Sequence, residues 1–361
     1  MTPPTHLEYS VVDSVGVLAG QLGRTAEDLF QMAEEIASNV RYETQAVRIR
    51  GKVRILTVPD DRLKYLQRDI CEFLIPANDR LSPEVHGFAR GRSNRSNAIS
   101  HAGRIYIQRF DLKDFFGSVT SAQVLAAFRE LGLSDPAAHL LTELTTYRRA
   151  LPQGAPTSPI LSNLVMREVD DRMRELAHSR SLSFSRYADD MAFGGNERFD
   201  LSSEVEDIID AYGFRLNDSK TAFAGPGQPR FVTGLYIDED RVRLRKSFKR
   251  KLTQTLHYVE KFGIDDHADR VGKAPSKAQE QLRGRIHYAR QVEPAWLDKQ
   301  RSSFPRTLNE LVPMNYEATR GEYLLARRQG FLSGMAGMTA ASALRYVPAV
   351  SYAEVKSPVV V

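Results

Sequence analysis

Apolar residues recur every three or four positions after Thr25, where Leu29, Met32 and Ile36 form one stripe and predict an amphipathic helix. Thr25 with Asp28 three residues on has the arrangement of a capping box at its start. The period then changes. Over Val47–Leu56, Ile and Val alternate with Arg and Lys, the period-2 signature of a half-solvated hairpin. Residues 105–111 alternate as well and place Asp111 at a strand's end. Thr120 and Gln123 predict a second capping box, opening a helix with Val124, Leu125, Phe128 and Leu131 inward. A long helix is expected after the cap Ser158 and Pro159, carrying Leu161, Leu164, Val165, Val169, Met173 and Leu176. Phe184 to Phe193 predicts two short strands about a tight turn. Ser203 and Glu206 predict a capped helix over Val205, Ile208, Ile209 and Tyr212, ended by Gly213. Phe214–Leu216 and Phe231–Ile237 are expected strands, and from Arg241 the pattern is helical and basic.

The middle of the chain therefore mixes strands and helices while the last third is mostly helix, an α+β pattern without internal repeats. At 361 residues, 42% hydrophobic and 26% charged, the composition is globular and long enough for two or three lobes. The net charge of +5 suits a polyanionic partner, and its placement matters more than its sum. Arg241–Lys251 holds seven basic residues and no acid, and residues 241–290 carry fourteen Lys or Arg against five Asp or Glu. Cys71 is the single cysteine, which excludes an internal disulfide and a cysteine-based zinc site. The first residues lack the basic-then-apolar order of a signal peptide, and no apolar run approaches the roughly 20 residues of a membrane span. The expectation is a cytoplasmic protein with no membrane contact.

Four Asp-Asp pairs occur, at Asp60-Asp61, Asp170-Asp171, Asp189-Asp190 and Asp265-Asp266. The first follows a proline, the second lies on a helix of mixed charge and the fourth sits in a polar stretch, all settings for solvated acids. Asp189-Asp190 alone is embedded in an apolar, strand-forming context. Acids buried between strands are costly unless a cation compensates them. Asp111 shares that character, and a strand end brought beside the 187–190 turn would converge three carboxylates. Oxygen ligands of this kind suit Mg²⁺, and two such ions would serve an in-line displacement at phosphorus.

These residues carry a resemblance. Tyr187-Ala188-Asp189-Asp190 resembles the YxDD signature of reverse transcriptases, and the segment from Phe110 to Phe116 resembles their first carboxylate motif. Leu151 to Asn163 matches the motif between them, and the order and the 78-residue separation of Asp111 from Asp189 fit the family. Asn97-Ala98-Ile99-Ser100-His101 resembles the NAxxH element of retron reverse transcriptases, and Val232-Thr233-Gly234 their VTG element. The resemblance covers roughly residues 17 to 295, including Leu282–Tyr288.

The resemblance implies a right-hand polymerase: fingers over 1–104, a palm of antiparallel strands backed by helices over 105–240 with part of the fingers inserted around 140–158, and a basic helical thumb with a C-terminal segment over 241–361. Asp111, Asp189 and Asp190 would be catalytic and bind two Mg²⁺ ions, Asp190 being the less direct ligand. Phe116 would take the steric-gate position, selecting dNTPs over ribonucleotides; it or Phe115 can also simply be core. Gln153 and Gly154 would line the nucleotide pocket, and Lys52 and Arg54 would grip the triphosphate, although a solvated basic strand has the same pattern. Lys220 would sit near the pyrophosphate, unless it is an ordinary turn lysine. Asn97, His101, Arg245, Lys246, Arg283, Arg285 and Arg290 are candidate RNA contacts.

Retron enzymes, by that resemblance, copy part of a cognate structured noncoding RNA from the 2′-hydroxyl of a guanosine within it. The product is a branched RNA–DNA hybrid, and a separate effector protein joins the enzyme in anti-phage defence. The sequence shows no recognisable ribonuclease H, endonuclease or integrase segment. The alternatives are a general or abortive-infection-type bacterial reverse transcriptase without a branched product, and a catalytically silent RNA-binding scaffold.

Overall fold

A computed structural model describes residues 14–49 and 52–311. The hairpin tip at 50–51, the side chains of Ile49 and Lys52, and the chain from 312 onward, including the terminal segment from Val347, lie outside the described residues. The described chain separates into two units. One runs to Thr233 and takes in Ile237–Arg241; the other comprises Gly234–Tyr236 and the chain from Val242.

The first unit opens with helices α1 (Val15–Gln21) and α2 (Ala26–Ala37). The Thr25–Asp28 capping box is present, and Leu29, Met32 and Ile36 are buried as the stripe requires. Strands β1 (Tyr42–Ile49) and β2 (Lys52–Pro59) pair antiparallel over a longer span than the alternation indicated. Their apolar face departs from the half-buried expectation: Val53 and Ile55 are 61% and 66% exposed. A ribbon of only two strands has no third strand behind it, and near its tip the core does not reach either face. Helix α3 (Asp61–Asn78) follows, its N-terminus held by the Asp60 carboxylate, which accepts from Leu63 N at 2.8 Å. Cys71 is packed on this helix, and burial pushes its thiol up to about 12, which leaves it inert. The short helix α4 (Asn94–Ile99) completes this part.

Next comes a four-stranded antiparallel sheet of β3 (Tyr106–Asp111), β4 (Ser183–Tyr187), β5 (Asp190–Gly195) and β6 (Ala222–Ala224), in the order β4-β5-β3-β6. Helices α5 (Phe115–Ser118), α6 (Ser121–Glu130), α7 (Asp135–Thr145), α8 (Ser158–Val165), α9 (Arg167–Ser179) and α10 (Ser202–Ala211) belong to the same unit. Phe110, Phe128, Leu161, Met173, Phe193 and Ile209 share one buried core across sheet and helices. Burying each such side chain stabilises the unit by roughly 1.5–3 kcal/mol before chain entropy is counted.

Four local expectations are corrected. The single helix expected after Ser158 is two, broken at Met166, and its N-cap is Thr157; Ser158 instead donates its hydroxyl to Pro152 O at 2.7 Å. The helix expected to be capped from Ser203 begins at Ser202, whose N–H is accepted by Asp200 at 3.0 Å. Phe214–Leu216 forms only an isolated bridge, Leu112 to Leu216, and Phe231–Ile237 is cut at Thr233-Gly234, where both residues have positive φ.

The second unit is helical after short strand segments: α11 (Lys246–Phe262), α12 (Ile264–Arg270), α13 (Pro275–Val292), α14 (Pro294–Arg301) and α15 (Pro305–Leu311). Leu252, Leu256 and Val259 on α11 and Leu282, Ile286 and Ala289 on α13 are buried. The Glu260 carboxylate accepts from the backbone N–H groups of Arg306 and Thr307 at the start of α15, a favourable charge for a helix N-terminus.

Candidate active site

Asp111 ends β3 and Asp190 opens β5, and the antiparallel register sets them directly opposite one another. Tyr187 pairs with Asp190 across β4 and β5, so Ala188 and Asp189 form the tight turn between them. Ala188 has φ +58°, a left-handed conformation that costs a residue with a Cβ roughly 1–2 kcal/mol. Leu112 N donates to Asp189 O at 3.0 Å and fixes the turn against the end of β3. Asp111 is 4% exposed, whereas Asp190 is open to solvent.

Like charges directly opposite across strands repel. The cation that offsets them belongs to the 3₁₀ turn Asp218–Lys220: Lys220 Nζ donates to Asp111 Oδ1 at 2.6 Å, and Asn217 Nδ2 donates to the same oxygen at 3.2 Å. Burial alone would lower the Lys220 ammonium. The hydrogen bond to Asp111 and the charges of Asp111, Asp189 and Asp190 outweigh it and hold the group above its usual value. One ammonium thus feels all three carboxylates. Among the described residues no three His, Cys, Asp or Glu side chains form a ready-made metal cage. An open set of oxygen donors that already attracts a cation fits Mg²⁺, which keeps several waters and uses one or two carboxylates together with substrate phosphates.

The other predicted nucleotide contacts fall in two places. Phe115 is core, and Phe116 is half-buried, its ring 6.0 Å from that of Phe88. Gln153 O accepts from Thr57 N at 2.9 Å, which docks the Gln153-Gly154 turn on β2. Gly154 is at φ +141°, and a Cβ there would stand 2.8 Å from Thr57 O, so this close approach requires glycine. Arg54 is exposed on the same strand, opposite Val47, and Lys52 begins that strand.

The family described as Reverse transcriptase (RNA-dependent DNA polymerase) matches residues 43–255 of this chain. Among curated proteins it is 32% identical to the retron Ec86 reverse transcriptase of Escherichia coli, over 62% of this chain and 71% of that one. The retron Mx162 and Mx65 reverse transcriptases of Myxococcus xanthus are 31% and 34% identical, over 79% and 67% of this chain and 65% and 62% of theirs. The chain belongs to the retron-type reverse transcriptases. Its fold is accordingly the right-hand fold of RNA-directed DNA polymerases. A structure of apo telomerase from Candida tropicalis, truncated from its C-terminal domain, is 14% identical with a TM-score of 0.42, over 62% of this chain and 61% of that one.

The two short retron elements meet in the structure. Asn97 Nδ2 lies 3.5 Å from Thr233 Oγ1, and Thr233 Oγ1 donates to Asn94 O at 3.0 Å. His101 is fully buried between the hydroxyls of Ser185, at 2.7 Å from Nε2, and Ser183, at 3.0 Å from Nδ1. Burial, with His86 and Arg104 nearby, pushes its imidazole down to about 3. The expectation that Asn97 and His101 touch RNA does not fit this burial. They face inward and brace α4 to Thr233 and to β4 of the retron enzyme's sheet.

The basic candidates of the second unit divide by their partners. Arg245 Nε donates to Gly234 O at 3.0 Å, and Lys246 is exposed. On α13, Arg283 Nε and Arg290 Nη1 are buried nitrogens without a hydrogen-bond partner among the described residues, and burial lowers Arg285.

Sequence reasoning missed one pair. Asp170, grouped with the solvated acids, is 2% exposed and makes a two-pronged ion pair with Arg186, which is fully buried. The signal was present: Asp170 lies four residues after Met166 and three before Met173, on the inward stripe of α9.

Proposed function

We propose that this retron-type reverse transcriptase copies part of a cognate structured noncoding RNA into a 2′,5′-branched RNA–DNA product at Asp111, Asp189 and Asp190. The observation that carries the active-site assignment is the opposed pair Asp111 and Asp190 with the Lys220 ammonium drawn to their site. Asp111, Asp189 and Asp190 would hold two divalent ions, and bound Mg²⁺ supplies charge neutralisation at the attacking hydroxyl and the departing pyrophosphate.

The chain's own residues do the rest. Lys220 holds a proton beside Asp111, where it can meet negative charge developing on the leaving group. Phe116 presents its ring beneath the sugar of a dNTP, where a ribonucleotide's 2′-hydroxyl would clash. The Gln153-Gly154 turn lets the backbone approach the nucleotide, while Lys52 and Arg54 on β2 meet its phosphates, Arg54 with a two-pronged fork. Residues up to about 104 act as fingers, 105–240 as palm with 140–158 completing the fingers, and 241 onward as thumb.

RNA would be gripped through phosphates and 2′-hydroxyls by Arg245, Lys246, Arg283, Arg285 and Arg290. The local excess of fourteen Lys or Arg over five Asp or Glu in residues 241–290 supports this. Reversing the charges of Arg283, Arg285 and Arg290 is expected to weaken RNA binding and its salt dependence; unchanged binding would remove these residues from the interface. The enzyme would act in the cytoplasm, and a separate effector would link it to anti-phage defence. Among the described residues no helix is long and apolar enough to cross a membrane.

The test is to isolate nucleic acid from cells expressing the protein with its flanking DNA. A branched RNA–DNA species sensitive to debranching enzyme is the expected result. Unbranched DNA alone would favour a general reverse transcriptase.

A further inference from the structure

Beneath the catalytic turn lies a buried ion pair that the chemistry above does not use. Arg186 Nε and Nη2 donate to the two Asp170 oxygens at 2.5 and 2.6 Å, and the third nitrogen, Nη1, donates to Ala188 O at 3.1 Å. Both side chains are essentially excluded from water. A fully buried ion pair is a poor source of stability, because apolar side chains of similar volume serve as well or better. Its use lies in what it orients, and among the described residues the backbone group it holds is the carbonyl of the left-handed residue before Asp189.

The backbone leading into Ala188 is held from another side by residues 84–87. Residues 84–86 run parallel to Arg186: Arg186 N donates to Glu84 O, and His86 N donates to Arg186 O, both at 2.8 Å. The chain then passes so close to the turn that a Cβ on Gly87 would stand 2.2 Å from Ala188 N and 2.9 Å from Tyr187 C. Asn163 on α8, itself fully buried, donates to Gly87 O at 2.9 Å and fixes that approach. Ala188 is thus clamped between a guanidinium on its carbonyl and a glycine backbone on its amide.

We propose that Asp170, Arg186 and Gly87 are positioning residues that hold the 188–189 turn in its left-handed form, so that Asp189 and Asp190 face Asp111. The inference rests on the active-site reading above. A free turn bearing Ala at this position would relax toward right-handed φ and swing both carboxylates away from the β3 end. The clamp acts on the geometry of the reacting step and leaves nucleotide and template binding to other elements.

The experiment uses the full chain, an RNA template with a DNA primer, dNTPs and Mg²⁺. The double variant Asp170→Leu with Arg186→Met replaces the pair by apolar groups and is expected to fold, with a melting temperature near the wild type's. Its kcat should fall about 10–100-fold, with dNTP KM and template–primer affinity within about threefold of wild type. Arg186→Lys keeps the charge but cannot pair with Asp170 and reach Ala188 O together, so it should show the same split between kcat and KM. Wild-type kcat in either folded variant would overturn the proposal, and so would failure of both to fold, which would make the pair a stability element alone. Asp189→Asn run in parallel separates the two readings. If it is inactive while the clamp variants are unaffected, only the clamp fails; if it retains wild-type kcat, the active-site assignment itself fails.

Discussion

Asp111 and Asp190 stand directly opposite each other at the ends of two antiparallel strands, a register that places like charges side by side. A sheet gains nothing from that arrangement, and Lys220 offsets only part of it. Removing one charge should therefore separate stability from activity. Asp190→Asn is expected to melt at or above the wild-type temperature while nucleotide incorporation falls by about 10²–10³-fold. Thermal melts paired with primer extension on the same preparation check both halves.

Lys220 offers a prediction with a defined sign. Its ammonium is held above the usual value near 10.5 once the three carboxylates outweigh burial. Its attraction to Asp111 therefore contributes stability throughout the range below the ordinary lysine value, and loses it as pH rises through the elevated one. Lys220→Met should be less stable than wild type at pH 7, with the difference closing only in strong alkali. Its kcat should fall about 10²-fold if the proton it carries reaches the leaving group. Denaturant titrations across alkaline pH and single-turnover rates measure the two effects.

Gly154 meets β2 where no Cβ fits, and its φ of +141° is strained for any other residue. Gly154→Ala should push the Gln153-Gly154 turn off Thr57 at a cost of about 1–3 kcal/mol. Expressed at the nucleotide pocket, that is roughly a 5–150-fold rise in dNTP KM, with a smaller change in template–primer affinity. Steady-state kinetics at varied dNTP concentration decide it.

His101 is kept neutral by burial, with its imidazole pushed down to about 3 against a usual 6.5. The unfolded chain takes up this proton below about 6.5 and the folded protein does not, so the stability tied to His101 is complete above 6.5 and drains as pH falls toward 3. Between pH 6.5 and 5 the wild type should lose ~2 kcal/mol that His101→Asn does not lose. Unfolding free energies at pH 7 and pH 5 for the two proteins give the comparison directly.

Much of the fold was legible because its signals are local. The Thr25 and Thr120 capping boxes and the strands ending at Asp111 and flanking Ala188 follow from side-chain type and period. The break at Met166 was not, since an apolar stripe continues through it and the break lies in the backbone angles of Met166, φ −80° and ψ 0°. Val53 and Ile55 carried the alternation of a half-buried strand, yet burial depends on what packs behind a ribbon, which alternation does not encode. At the site, the opposition of Asp111 and Asp190 needed the register. Asp170 was hidden by its neighbour Asp171: a pair of acids looks solvated, and only the position of Asp170 on the inward face of α9 distinguishes the two. Asn97 and His101 were conspicuous as motif residues, but a motif does not tell a buried brace from a surface contact.

The central claim is that RNA-templated DNA synthesis occurs at Asp111, Asp189 and Asp190. Primer extension on an RNA template with dNTPs and Mg²⁺, comparing wild type with Asp189→Asn at equal folded concentration, tests it most directly. The account predicts extension by the wild type and a loss of at least about 10²–10³-fold in the variant. An Asp189→Asn enzyme that extends the primer at the wild-type rate would contradict it.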